Sequence, residues 1–178
     1  DPFAMPGEAD LTAHVDFATL ANIAQSRGVK WLGTVPQGKS LSVLITHDID
    51  YTRSMRNAVT YARSARAAGV PSTHFIQTKY MRDWNDDIFY NDEGAKLVAE
   101  LQGLGREIGS HTVSHSKVLE TFAQGSGDER YPDYQPFVSA ENEARGATLF
   151  GELRVSKFLL ETHAPGAEVV SFRPGHLR

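Results

Sequence analysis

The chain of 178 residues is long enough for a single domain with a buried core, because domains commonly contain about 100 to 200 residues. Its net charge of −4 and its scattered lysine and arginine residues exclude a basic face for nucleic acid, and its longest apolar runs are far shorter than the roughly 20 residues of a membrane-spanning helix. It contains no cysteine, which excludes disulfides and leaves histidine and carboxylate side chains as the strong metal ligands.

The N-terminal 40 residues are predicted to form a lead and a helix, separate from a main domain over residues 41–178. Residues 1–10 show little periodicity, whereas apolar residues from Phe17 to Ala24 recur at helical spacing and stop before Gly28. A short strand over residues 29–35 and a turn over residues 36–39 follow. This region contains no motif to which we assign a function.

Strands and helices alternate along the main domain. Residues 41–45 are apolar almost throughout, as expected of a strand covered on both faces. Further strands are predicted over residues 73–76, just before His111, and over residues 169–172. Helices are predicted over residues 54–68, 93–104 with Asp92 as its cap, and 141–161, and long polar loops over residues 79–93 and 125–136. This alternation predicts an α/β fold with a parallel sheet, open or closed into a barrel.

Polar side chains follow three of the predicted strands. These are the pairs Asp48 and Asp50, His111 and His115, and Arg173 and His176. Active sites of parallel α/β folds form at the carboxyl ends of the strands, because the loops there converge on a rigid sheet edge. We therefore expect the three pairs to lie close together.

This set of side chains suits a catalytic metal. Two imidazoles four residues apart, with one carboxylate from another strand, supply three ligands and leave open positions for water and substrate. A bound ion makes hydroxide available near neutral pH, the second carboxylate could act as general base, and an arginine would hold that base in place. Taken singly, an Asp-x-Asp is more often a turn or cap, and His14, His47, His74, His163 and His176 are more often structural.

The first motif of the polysaccharide deacetylases resembles residues 46–50, Thr-His-Asp-Ile-Asp. These enzymes form the fourth carbohydrate esterase family and share a chitooligosaccharide-deacetylase-like domain. In that motif the earlier aspartate is the base and the later one binds metal. The resemblance therefore implies that Asp48 is the catalytic base and Asp50 a metal ligand.

Two further motifs carry the same resemblance. Residues 106–115, Arg-Glu-Ile-Gly-Ser-His-Thr-Val-Ser-His, are similar to the second motif, which implies that His111 and His115 are metal ligands. Residues 172–174, Phe-Arg-Pro, are similar to the third, in which an arginine contacts the base, and this implies that role for Arg173. The resemblance runs from about residue 41 to the end of the chain.

The resemblance implies a distorted (β/α) barrel that removes acetyl groups, most often N-acetyl, from a polysaccharide or oligosaccharide by hydrolysis. Its cofactor is a divalent metal, Zn²⁺ first, with Co²⁺, Ni²⁺ or Mn²⁺ as alternatives. The family's later strands and its late histidine general acid have no counterpart before Arg178. We therefore expect a further C-terminal segment, or a partner segment, to complete the barrel.

Two other functions remain open at this point. One is a carbohydrate-binding or scaffold module that keeps the fold without catalysis, and the other is a metal-free cyclic amide hydrolase, against which the intact ligand set counts. An acetylated glycan substrate predicts an extracellular, periplasmic or cell-envelope location, with the cytoplasm as the alternative.

Overall fold

A computed structural model of the protein describes residues 26–27 and 41–177. The chain divides into two compact units, Asp1–Val43 and Leu44–Arg178. In the first unit, residues 41–43 have no regular secondary structure. The N-terminal helix and the strand over residues 29–35 that the sequence predicts lie outside the described residues, except for the helix's last turn near Ser26. None of the helices described is long and apolar enough to cross a bilayer.

The second unit is built on a parallel sheet of three strands. These are β1 (Thr46–Ile49), β2 (Thr73–Ile76) and β3 (Glu107–Ser110), in the order β1-β2-β3. Helix α1 (Thr52–Ala67) connects the first two strands, and helix α2 (Asp92–Gly103) lies between the next two. The predicted α/β fold with a parallel sheet is confirmed.

Apolar side chains at helical spacing hold the helices on the sheet. Met55, Ala58, Val59 and Ala62 form the buried face of α1, and they belong to one hydrophobic core with Ile49 and Ile76 of the strands. Helix α2 and the third helix, α3 (Leu149–His163), add Val98, Leu101, Val155, Leu159 and Leu160 to the same core. Burying each such side chain contributes about 1.5 to 3 kcal/mol, so this core fixes the sheet whose edge carries the site.

Polar caps set where two of the helices begin. The side chain of Asn91 accepts hydrogen bonds from Glu93 N and Gly94 N, and Thr148 Oγ1 accepts one from Gly151 N. The prediction of Asp92 as the cap of α2 is wrong by one residue. Asn91 has the extended backbone that a cap needs, whereas Asp92 is already helical.

The first strand begins later than predicted. Residues 41–45 are not a strand covered on both faces, and Leu44 is 83% exposed. The partner strand β2 begins only at Thr73, which pairs with Thr46. The paired part of β1 therefore begins at Thr46. The shift places Asp48 within β1 and Asp50 directly after it.

The region between residues 137 and 172 also differs from the prediction. Residues 137–145 form a hairpin of β4 (Phe137–Ala140) and β5 (Glu143–Arg145), so α3 begins at Leu149 rather than at residue 141. Of the strand predicted over residues 169–172, only Phe172 makes a bridge, which is parallel and pairs with Ser110 of β3. This bridge nevertheless brings Arg173 to the end of the sheet.

Candidate metal centre

Three of the predicted ligands converge at the carboxyl edge of the sheet. Asp50 follows β1, His111 follows β3, and His115 lies four residues further along the same loop. Asp50 Oδ1 lies 3.3 Å from His111 Nε2 and 3.6 Å from His115 Nε2. One donor atom from each residue lies within 4.8 Å of the others, so these three side chains could form a metal site.

One polar atom at this point, Asp50 Oδ1, has no hydrogen-bond partner among the described residues. Asp50 Oδ1 is buried and accepts no hydrogen bond from the described residues, although buried carboxylate oxygens are normally satisfied. Burial raises the pKa of Asp50, but the neighbouring imidazoles outweigh it and the net shift is downward. Burial lowers the pKa of His115 to about 4, so its imidazole is neutral at pH 7. An ionised carboxylate beside a neutral imidazole is the kind of donor pair that a divalent cation binds.

Each histidine presents the same nitrogen to the centre. His111 Nδ1 lies 2.9 Å from the Arg173 carbonyl oxygen, to which it donates, so the lone pair of His111 is on Nε2, facing Asp50. His115 Nδ1 lies 4.0 Å from Asp86 Oδ2, and Nε2 of the same ring faces Asp50. Ligating histidines commonly orient their second ring nitrogen in this way, towards a carbonyl or a carboxylate.

Asp48, the earlier aspartate of the first pair, contacts the arginine. Arg173 Nη1 donates to Asp48 Oδ1 at 2.7 Å and Nη2 donates to Thr46 Oγ1 at 2.9 Å. The guanidinium also lies over the Phe75 ring, 4.2 Å from its centroid. Asp48 lies in β1 and Asp50 directly after it, so both belong to the same end of the strand. Arg173 thus contacts Asp48 with its side chain and His111 with its carbonyl.

Backbone strain is concentrated around the same place. The non-glycine residues with positive φ in the described part of the chain are Thr112 at 70°, His115 at 53° and His176 at 56°. Each costs about 1 to 3 kcal/mol and persists only where the surroundings enforce it, a pattern typical of functional sites. The His176 ring lies 4.6 Å from that of His115, so the third predicted pair also reaches the centre.

Three further histidines in the described part of the chain make their contacts away from the centre. His47 and His74 stack on each other across β1 and β2, with ring centroids 4.7 Å apart. His163 lies at the end of α3, where its Nδ1 is 3.2 Å from the Tyr90 hydroxyl. His14 lies outside the described residues. The described histidines that converge are therefore His111, His115 and His176.

Residues that were not predicted surround His115 from the loop after β2 and contact the turn before it from α3. Asn85 Nδ2 donates to the His115 carbonyl at 3.2 Å and to Asp86 Oδ2 at 2.9 Å, and Gln77 Nε2 donates to the same carboxylate at 3.5 Å. Glu152 accepts hydrogen bonds from the loop between the two histidines. The loop has no periodicity, and a single acidic residue on a helix has no distinguishing signal, so neither group stands out in the sequence.

Comparisons with known proteins give few matches. A family model described as S-adenosyl-L-methionine-dependent methyltransferase matches residues 1–35, which are less than half of the chain and include no residue of the centre. The fold is similar to the crystal structure of a mutant CE4 family pseudoenzyme with restored enzymatic activity, with a TM-score of 0.46 and 14% sequence identity. That match covers 75% of this chain and 37% of the other, so this chain spans well under two thirds of that protein. No curated protein matches the sequence.

Proposed function

We propose that this chain is part of a metal-dependent hydrolase that removes acetyl groups, most often N-acetyl, from a polysaccharide. The observation that carries the proposal is the buried Asp50 Oδ1, which has no hydrogen-bond partner in the described part of the chain and faces the Nε2 atoms of His111 and His115. The motif resemblance at residues 46–50 and 106–115 supports the same function. Similarity at a TM-score of 0.46 does not identify a reaction, so the proposal depends on these side chains.

Asp50, His111 and His115 would hold the metal ion through one oxygen and two nitrogen atoms. Such mixed nitrogen and oxygen ligands suit Zn²⁺, with Co²⁺, Ni²⁺ and Mn²⁺ as alternatives. When bound, a divalent ion supplies Lewis-acid activation of a water molecule and of the acetyl carbonyl. Three protein ligands leave positions open for both, as a catalytic site requires.

Asp48 would act as the base of the reaction. It accepts a proton from water as the water oxygen bonds to the acetyl carbon, and the proton then passes to the leaving nitrogen as the C–N bond breaks. The products are acetate and a protonated amine, which together account for both protons of the water. The Arg173 guanidinium holds the Asp48 carboxylate through a hydrogen bond of 2.7 Å. This bond fixes the orientation of the carboxylate and keeps it apart from the metal ligands.

We also propose that the sheet belongs to a distorted (β/α) barrel. The strands neighbour one another in chain order, β1, β2, β3 and then the Phe172 bridge beside Ser110. A doubly wound sheet reverses its order at a switch point, whereas a barrel continues in sequence. The successive order over these four positions is the order that a barrel requires.

Replacing Asp48 by Asn tests the assignment of the base. Asn cannot take the proton from water, so we expect D48N to lose at least about 100-fold in the rate of acetate release, a range typical of a lost general base, while keeping its metal. The measurement is acetate release from chitin oligomers, peptidoglycan and acetylated exopolysaccharide with added Zn²⁺ or Co²⁺, together with metal content by elemental analysis.

The matched control is D50A, which we expect to lose both the metal and the activity. A D48N protein as active as wild type would contradict the role of Asp48 as base. A wild-type protein that binds metal and glycan but releases no acetate from any of these substrates would instead favour a carbohydrate-binding module.

A further inference from the structure

A buried carboxylate outside the ligand set touches the loop that carries both histidines. Glu152 lies in the first turn of α3 and is fully buried. Its Oε2 accepts hydrogen bonds from Val113 N at 2.8 Å and from Ser114 N at 2.9 Å, and its Oε1 accepts one from the Tyr134 hydroxyl at 2.9 Å. Glu152 is therefore joined to the segment between His111 and His115 without touching either imidazole.

Burying this carboxylate is costly, and only its hydrogen bonds offset the cost. A carboxylate loses several kcal/mol of hydration when it is buried, unless charged or polar partners replace the water. No cation contacts Glu152 in the described part of the chain, and its partners are two backbone N–H groups and one phenol. A leucine or methionine at this position would pack α3 at lower cost. The carboxylate thus satisfies donors that the loop itself cannot pair.

The loop needs such a partner because its conformation is strained. Thr112 and His115 flank the two bonded amides, and both have positive φ. A further hydrogen bond, from His115 N to Thr112 Oγ1 at 2.9 Å, closes the same turn. Two non-glycine residues in the left-handed region cost on the order of 1 to 3 kcal/mol each, so the turn would relax without bonds to hold it.

We propose that Glu152 is a positioning residue that holds the 112–115 turn in this strained form and so directs the His115 imidazole at the metal. This inference rests on the proposed metal centre. The two hydrogen bonds that Glu152 accepts fix the peptide planes just before His115. Those planes determine the direction in which the His115 side chain leaves the backbone. A shift of about 1 Å at a ligand is enough to weaken a metal site.

Tyr134 extends this connection to the loop before β4. Its hydroxyl donates to Glu152 Oε1, and Thr148 N donates to the same hydroxyl at 3.1 Å. The Tyr134 ring also packs against Gly151, where a Cβ atom would collide with it. Tyr134 therefore fixes Glu152 from the side opposite the turn, and Y134F should have a smaller effect of the same kind as removal of Glu152.

The test compares E152A with E152Q in the whole chain, by Co²⁺ titration followed by visible absorption. E152A should bind Co²⁺ about 10- to 100-fold more weakly, the usual effect of losing a residue that orients a ligand. E152Q should retain most of the affinity, because its amide oxygen can accept from both N–H groups and its amide nitrogen can donate to Tyr134. The control for a general loss of stability is L159A, on the same buried face of α3, which should keep wild-type affinity.

Amide hydrogen exchange of Val113 and Ser114 in the metal-free protein gives a second readout that needs no ion. Both amides should be protected in wild type and E152Q and should exchange fast in E152A. The inference is overturned if a folded E152A binds Co²⁺ as tightly as wild type, or if those amides stay protected in it. A wild-type protein that binds no Co²⁺ refutes the proposed function, and the exchange data then decide alone whether Glu152 holds the turn.

Discussion

At the scale of single residues, the centre depends on close packing as well as on ligands. Gly175 lies directly against His115, and a Cβ atom built on it would be 2.7 Å from His115 Cδ2 and 3.2 Å from the His115 backbone. A glycine is therefore needed here for close approach rather than for an unusual φ. Through this contact the segment after Arg173 supports one face of the His115 ring.

Replacing Gly175 by Ala should move the His115 ring and weaken metal binding. The added methyl group meets a ring on one side and backbone on the other, so neither can give way freely. We expect the dissociation constant for Co²⁺ to rise about tenfold or more, as for other residues that orient a ligand. The measurement is a Co²⁺ titration followed by visible absorption.

The control for this prediction is G103A at the end of α2. A Cβ atom there has no neighbour within 4 Å, so G103A should keep wild-type affinity and be neutral or slightly more stable. Equal Co²⁺ affinity of G175A and G103A would show that the His115 ring does not depend on this packing.

At the scale of elements, the loop after β2 is fixed by a buried ion pair. Lys79 and Asp83 form a salt bridge with both side chains fully buried. The Asp83 carboxylate also accepts hydrogen bonds from Asn85 N at 2.9 Å, Asp86 N at 3.1 Å and Val138 N at 3.0 Å. One carboxylate thus joins the loop to β4 and places Asn85 and Asp86 beside His115.

Removing Lys79 should destabilise the protein strongly, because it leaves the Asp83 charge buried without its cation. We expect K79M to lower the free energy of unfolding by about 3 to 5 kcal/mol, the usual cost of breaking a buried pair. The measurement is urea denaturation followed by circular dichroism.

The same loop supplies a matched control, the Arg82–Asp87 ion pair, whose side chains are 76% and 72% exposed. R82A should cost no more than about 1 kcal/mol, because exposed pairs contribute little. If K79M and R82A lowered stability equally, the buried pair would not be what holds this loop.

At the scale of the whole molecule, a buried histidine in the sheet makes stability depend on pH. His74 is fully buried on β2, with its Nε2 3.1 Å from Ser72 Oγ. Burial, helped by the nearby His47 and Arg106, lowers the pKa of His74 from its ordinary value of 6.5 to about 4. Between pH 6.5 and 4 the unfolded chain therefore binds a proton at this position that the folded protein excludes.

Stability should accordingly fall as the pH decreases through that window, and His74 should account for part of the fall. One proton corresponds to a slope of about 1.4 kcal/mol per pH unit. In H74F, which keeps an aromatic ring beside His47, the slope of unfolding free energy against pH should be smaller by up to that amount. The measurement is urea denaturation at several pH values from 7.5 to 4.5, and an unchanged slope in H74F would contradict the assignment.

The sequence by itself indicated the alternation of strands and helices and the side chains with metal-binding chemistry. The parallel sheet follows from local pattern, and Asp50, His111 and His115 come from motifs whose spacing is local along the chain. The structure brings these three side chains together because the carboxyl ends of neighbouring parallel strands share one edge. The alternation and the individual motifs depend on near neighbours in the chain, which is why residue order was enough to predict them.

Only the tertiary structure decided the features that join distant segments. The strand β5 was predicted as the start of a helix from residue 141, on the spacing of apolar residues, but it pairs with β4, whose Val138 bonds to Asp83 and Trp84 of the loop after β2. The start of β1 is set by where β2 begins, not by apolar composition. Glu152, bonded to a turn 38 residues earlier in the chain, is an ordinary helical glutamate in the sequence. Its role comes from burial and from donors that folding brings to it, and local pattern encodes neither.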